Sequence, residues 1–233
     1  MPLTPLPRFI SVLLLLLYLA VPIFPPTPET ILMPVTGGDS EGIEEEINAP
    51  VQVPSLDMFT RQVWNGDPGI VTGLFIDSKL ALQVIQQPSQ DPTFVSGQAN
   101  AATQFSIAEQ FDSLGFLAHN YLAGAQFFYI RGSDIIHVIR GNGHIDRYQV
   151  KEIRRLQALQ PRDPYSDFKD LQTGTLLNVT ELFSQTYAMH DQVILQTCIA
   201  SEGEEAWGRL FIIAIPYTAE INYLQKFSSY LIH

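Results

Sequence analysis

The sequence predicts an all-β protein: a closed barrel of short strands with a few short helices, preceded by a flexible linker and an N-terminal apolar helix. Three observations carry that prediction. Short runs rich in Val, Ile, Leu and Phe recur from about residue 69 onward, separated by turn chemistry such as Arg131-Gly132-Ser133-Asp134 and Gly141-Asn142-Gly143. Long helical patterns are few in the same stretch. Several runs are apolar throughout, and only a sheet that closes on itself hides the edges such strands would expose.

At 233 residues, with 46% hydrophobic side chains, the chain has room for one mid-sized domain plus appendages. Its formal net charge of −11 excludes a nucleic-acid binder, since 13 Lys and Arg in all form no basic stripe to neutralise phosphates. The single cysteine cannot form an internal disulfide, so it is either an inert buried thiol or a reactive one.

Residues 1–24 carry Arg8 and then an apolar run from Phe9 through Val21. One basic residue before a Leu-rich stretch is the pattern of a secretory signal or a signal anchor. The run is short against the usual ~20 spanning residues, but no clean small-residue cleavage site follows it. An uncleaved anchor is expected, with Arg8 inside and the rest of the chain outside the cytoplasm. Residues 25–64 are rich in Pro, Gly and Glu and read as a linker, leaving 65–233 as the folded domain.

Within the domain, Gly69–Ile76 reads as an opening strand and Leu80–Val84 as its hairpin partner. Ala108–Leu114 reads as a short helix or loop leading into Gly115–His119. Phe127–Ile130, Ile135–Ile139 and Ile145–Val150 read as strands, and Val150–Leu159 as a strand end or a helical turn. Asn178–Met189 has helical spacing. Val193–Ile199 and Arg209–Ile215 close an antiparallel barrel.

The chemistry-bearing residues lie near that closure. Cys198 ends a strongly apolar strand, and Arg209, eleven positions later, opens the next, so antiparallel pairing would set both on one rim. Between them, Ser201–Ala206 reads as a polar loop long enough to sit over a cleft. A free cysteine on an apolar strand is by itself ordinarily a small buried hydrophobe, and the acidic residues of this loop are ordinarily solvated.

Ile194-Leu195-Gln196-Thr197-Cys198 resembles the Thr-Leu-x-Thr-Cys strand of the sortases, with Ile194 in place of the first Thr. Trp207–Ala214 resembles the following strand, which opens on that family's arginine. Gly115–Asn120 is similar to the segment that delivers its histidine, and Gly132–Val138 with Tyr148–Val150 to the hairpin that follows. The order His, Cys, Arg also matches, and the resemblance spans roughly residues 69–216.

The resemblance implies a sortase-like barrel and a cysteine transpeptidase with no cofactor or metal. Cys198 is then the nucleophile, His119 the acid/base, Arg209 the oxyanion-stabilising cation and Thr197 a candidate substrate contact. It further implies a membrane-anchored extracytoplasmic enzyme whose partners are proteins bearing Leu-Pro-x-Thr-Gly-like sorting signals and an amine of the cell wall or a pilin. Competing readings are a cysteine peptidase with water as acceptor, and a non-catalytic peptide-binding module. In the linker, Leu32-Met33-Pro34-Val35-Thr36-Gly37-Gly38 itself resembles such a signal; a plain Pro/Gly linker and a pseudosubstrate are both open for it.

Overall fold

The computed structural model describes residues 53–163 and 165–218. The anchor segment and the Leu32–Gly38 motif lie outside these residues. Among the described residues, no helix is long and apolar enough to cross a membrane.

Among the described residues, ten strands form one sheet: β1 (Val71–Ile76), β2 (Leu80–Gln86), β3 (Ala101–Phe105), β4 (Leu114–Leu117), β5 (Ile135–Arg140), β6 (Ile145–Ala158), β7 (Phe168–Asp170), β8 (Leu176–Leu177), β9 (Val193–Ser201) and β10 (Glu204–Pro216). Their order is β10-β9-β4-β3-β2-β1-β5-β6-β7-β8, and β10 also pairs with β6. Eight strands therefore close into a barrel, with β7 and β8 continuing past the seam. Closure depends on the length of β6, whose first part pairs with β5 and whose later part, Tyr148–Gln157, pairs with β10.

The barrel is not purely antiparallel, as the sequence had suggested. β2 pairs with β3 and β4 with β9 in parallel. Parallel neighbours need a crossover connection, and the long segments between β2 and β3 and between β4 and β9 supply it.

The wall around β9 and β10 is buried on both faces, which is why these strands read as apolar throughout. Leu195, Leu210, Ile212 and Ala214 join the interior cluster with Leu74, Leu82, Phe116 and Val138. The alternate residues Ile194, Phe211 and Ile213 belong to a second cluster on the outer face, with Leu117, Leu156 and Phe168. Helix α2 (Val179–Thr186) covers that face through Val179 and Leu182. Its start is set by a reciprocal cap: the Glu181 amide donates to Asn178 Oδ1, and the Asn178 amide donates to Glu181 Oε2, both at 2.9 Å.

Other expectations are corrected. The folded region begins inside the expected 25–64 linker, because Leu56–Gln62 form helix α1, capped by Ser55. Phe59, 3% exposed, and Val63 seal that helix onto Phe75 and Ile139. Phe127–Ile130, expected as a strand, lies mostly in a 3₁₀ helix, Ala123–Tyr129, that plugs the barrel with Ala123 and Phe127. Val150–Leu159 is strand nearly throughout, as part of β6. Ser201–Ala206 is a tight hairpin and not a loop over a cleft: Glu202 and Gly203 take φ of 54° and 77°, the left-handed pair that suits a two-residue turn. β3, β4, β7 and β8 were not anticipated as strands.

Candidate active site

Cys198 and Arg209 are direct cross-strand partners in the antiparallel β9–β10 pair. β4 flanks β9 on its other side, with Leu117 opposite Gln196, and the ladder continues as the Ala118 amide donates to the Gln196 carbonyl at 3.2 Å. β4 ends at Leu117, and carrying its register on by two residues would bring His119 level with Cys198. On that register the three residues occupy one row of positions: His119, Cys198, Arg209.

Parity places the row on one face. Leu117, Ile194, Phe211 and Ile213 all point into the outer-face cluster, and His119, Cys198 and Arg209 lie an even number of residues from them. The row therefore ends the face that α2 covers. Cys198 is half-buried. Arg209 is 1% exposed, and its Nη1 donates to the carbonyls of Ala206 and Gly208 at 2.8 and 2.9 Å. Those bonds hold the guanidinium against its own strand, where the β9–β10 register shifts between Glu204 and Gly208.

His119 is fixed from several sides. Its carbonyl accepts from the amides of Leu122 and Gly124 at 3.0 and 2.9 Å. Its ring stacks on Tyr121, with centroids 5.1 Å apart and planes 22° apart. Burial pushes the imidazole below its ordinary pKa, and a hydrogen bond with the Val95 carbonyl partly offsets this. The ring is therefore neutral near pH 7, the form that can accept a proton from a thiol or an amine. A carbonyl on one ring nitrogen also selects the tautomer that leaves the other nitrogen free to accept.

Thr197 does not share this face. It is 2% exposed, on the opposite side of β9 from Cys198, and its hydroxyl donates to the Ala118 carbonyl at 2.8 Å. Its place corrects the expected substrate contact: it ties β9 to the end of β4 and so sets where His119 emerges. Gly124 completes that tie. A Cβ there would press on the Thr197 hydroxyl and lie 2.7 and 2.8 Å from the carbonyl oxygens of His119 and Ala118. Sequence reading missed Gly124, Val95 and Tyr121, because none carries a pattern that betrays a contact with His119.

No protein-family model matches the sequence, and no curated protein matches it. Solved structures do. Sortase A of Listeria monocytogenes matches at 13% identity over 65% of this chain and 89% of that one, with a TM-score of 0.40. Sortase C-1 of Actinomyces oris matches at 13% identity over 72% and 83%, with a TM-score of 0.43. Sortase C of Streptococcus pneumoniae matches at 17% identity over 64% and 70%, with a TM-score of 0.41. The chain is thus similar to sortases of the A and C types, while what it can do chemically rests on its own row of His119, Cys198 and Arg209.

Proposed function

We propose that this protein is a sortase-type cysteine transpeptidase. One observation carries the reading: the half-buried Cys198 is the direct cross-strand partner of the buried Arg209, and β4, which leads to His119, runs beside the cysteine's strand on its other side. The sequence resemblance around Cys198, His119 and Arg209 supports the same assignment.

In the proposed reaction, His119 takes the proton of the Cys198 thiol as the sulfur attacks a backbone carbonyl of the donor peptide. Arg209 stabilises the resulting oxyanion. The imidazolium then protonates the departing amine, the C–N bond breaks, and a thioester remains on Cys198 with His119 neutral again. An incoming primary amine forms a new C–N bond at the thioester carbonyl. His119 removes its proton and passes it to the sulfur as the C–S bond breaks. The donor is a protein with a Leu-Pro-x-Thr-Gly-like signal and the acceptor an amine of the cell wall or a pilin. The enzyme works outside the cytoplasm, held by the apolar run at residues 9–21.

The test incubates the protein with a library of Leu-Pro-x-Thr-Gly-like peptides plus triglycine. A thioester adduct seen by intact mass on the native chain, absent from Cys198→Ala, and a ligated product are expected. Cleavage without ligation would identify a peptidase instead. Absence of any adduct across the library would overturn the enzymatic reading.

A further inference from the structure

Three groups around His119 take no part in the row, and each favours a cation. Asn120, the next residue, turns its Nδ2 toward both the backbone carbonyl and the Oε2 of Glu205, each at 3.4 Å. Two oxygens on that side fix which end of the amide faces Glu205. The other end, Oδ1, is buried and has no hydrogen-bond partner among the described residues. A buried amide oxygen left so is costly unless something donates to it. Glu205 is half-buried and forms no ion pair among the described residues, although its neighbour Glu204 pairs with Arg162 at 3.0 Å. Tyr121, 51% exposed, stacks on the imidazole and offers a second aromatic face to solvent.

Asn120 follows β4 and Glu205 lies near the start of β10, with β9 between those strands, so their contact reaches across the end of β9, the strand that carries Cys198. The carbonyl of Ala206, next to Glu205, holds Arg209. A carboxylate and an orphaned amide oxygen therefore lie together one residue beyond His119 on the side of the hairpin, and the Tyr121 ring stacks against the imidazole.

We propose that Glu205, Asn120 and Tyr121 form the acceptor subsite, which binds the primary ammonium group of the incoming nucleophile before it is deprotonated. The proposal rests on the transpeptidase reading and names the chemistry that selects its second substrate. The ammonium donates to Glu205 and to Asn120 Oδ1 and lies against the Tyr121 ring, a combination of charge-assisted and cation–π contacts. One proton leaves to solvent. The resulting amine attacks the thioester, its next proton goes to His119 and then to the Cys198 sulfur, and the net products are an amide, a thiol and one released proton.

The experiment compares two nucleophiles in the native chain and in Glu205→Gln. Triglycine is largely cationic at pH 7, since an α-amino group has a pKa of about 8, whereas hydroxylamine is largely neutral there. The triglycine concentration for half-maximal ligation should rise roughly tenfold in the variant, the equivalent of one charge-assisted hydrogen bond, with that for hydroxylamine unmoved. A shift of both nucleophiles together would mean that Glu205 only props the hairpin, and a shift of neither would remove the subsite. A second arm needs no turnover: triglycine should move the Asn120 side-chain amide resonance of the native chain, and ten times more should be needed in Glu205→Gln. If no thioester forms at all, the transpeptidase reading fails, while this titration still decides the subsite. An unperturbed Asn120 resonance overturns it.

Discussion

Gly124→Ala is the sharpest test of how the row is assembled. A methyl group added at Gly124 would press on the Thr197 hydroxyl and approach the carbonyl oxygens of His119 and Ala118 at 2.7 and 2.8 Å. The hydroxyl sits on a stiff β-branched side chain already donating to Ala118, and the two carbonyls are backbone, so no flexible tip can give way. Overpacking of this kind costs about 1–3 kcal/mol, and displacing the turn weakens the Gly124 amide bond to His119, for a total of about 2–4 kcal/mol. For a domain of this size that lowers Tm by roughly 5–15 °C. The same shift moves His119 relative to Cys198, and a displacement near 1 Å costs on the order of 100-fold in rate. Urea denaturation, thermal melting and ligation of peptide to triglycine read the two effects separately. Thr197→Val serves as a companion, removing the Ala118 bond while keeping the shape. Should Gly124→Ala melt with the native protein and turn over at its rate, the turn does not position His119, and the account of the row is wrong.

Four further outcomes follow from the site and its supports. Arg209→Lys keeps a cation but loses the planar donor that bonds Ala206 and Gly208; turnover should fall by roughly 100–1,000-fold, and native turnover in the variant would remove Arg209 from the mechanism. Burial holds both His119 and His137 below their ordinary pKa, so the acid limb of kcat/KM should lie below about 6.5. The unfolded chain then binds more protons than the native one between those lowered values and about 6.5, so stability falls as pH drops through that window; urea midpoints that rise on acidification there would contradict it. Phe59→Ala should destabilise the domain by about 3–5 kcal/mol by emptying the seam between α1 and the barrel, and a midpoint shift under 1 kcal/mol would return residues 56–62 to the linker.

What could be read along the chain was local. The apolar runs that became β1, β2, β5, β9 and β10, the helical spacing over α2, and the pairing of Cys198 with Arg209 across one hairpin all follow from periodicity and turn chemistry within a few residues. What misled the reading was composition without context. Phe127–Ile130 looks like a strand because an aromatic plug and a buried strand present the same apolar letters. Glu202-Gly203 looked like part of a loop because its positive φ values, and not its polarity, make the turn. β3 hid its role because Thr103 and Gln104 are polar yet buried.

The sequence by itself determined a β-rich domain, and it placed thiol and guanidinium on neighbouring strands, since a hairpin pairs residues that the chain already brings close. Only the tertiary structure decided that β4, which leads to His119, runs parallel beside β9, the strand of Cys198. An apolar strand packs about equally well against many others, and its partner is settled by which arrangement closes the barrel, fills its interior and ties Thr197 to Ala118.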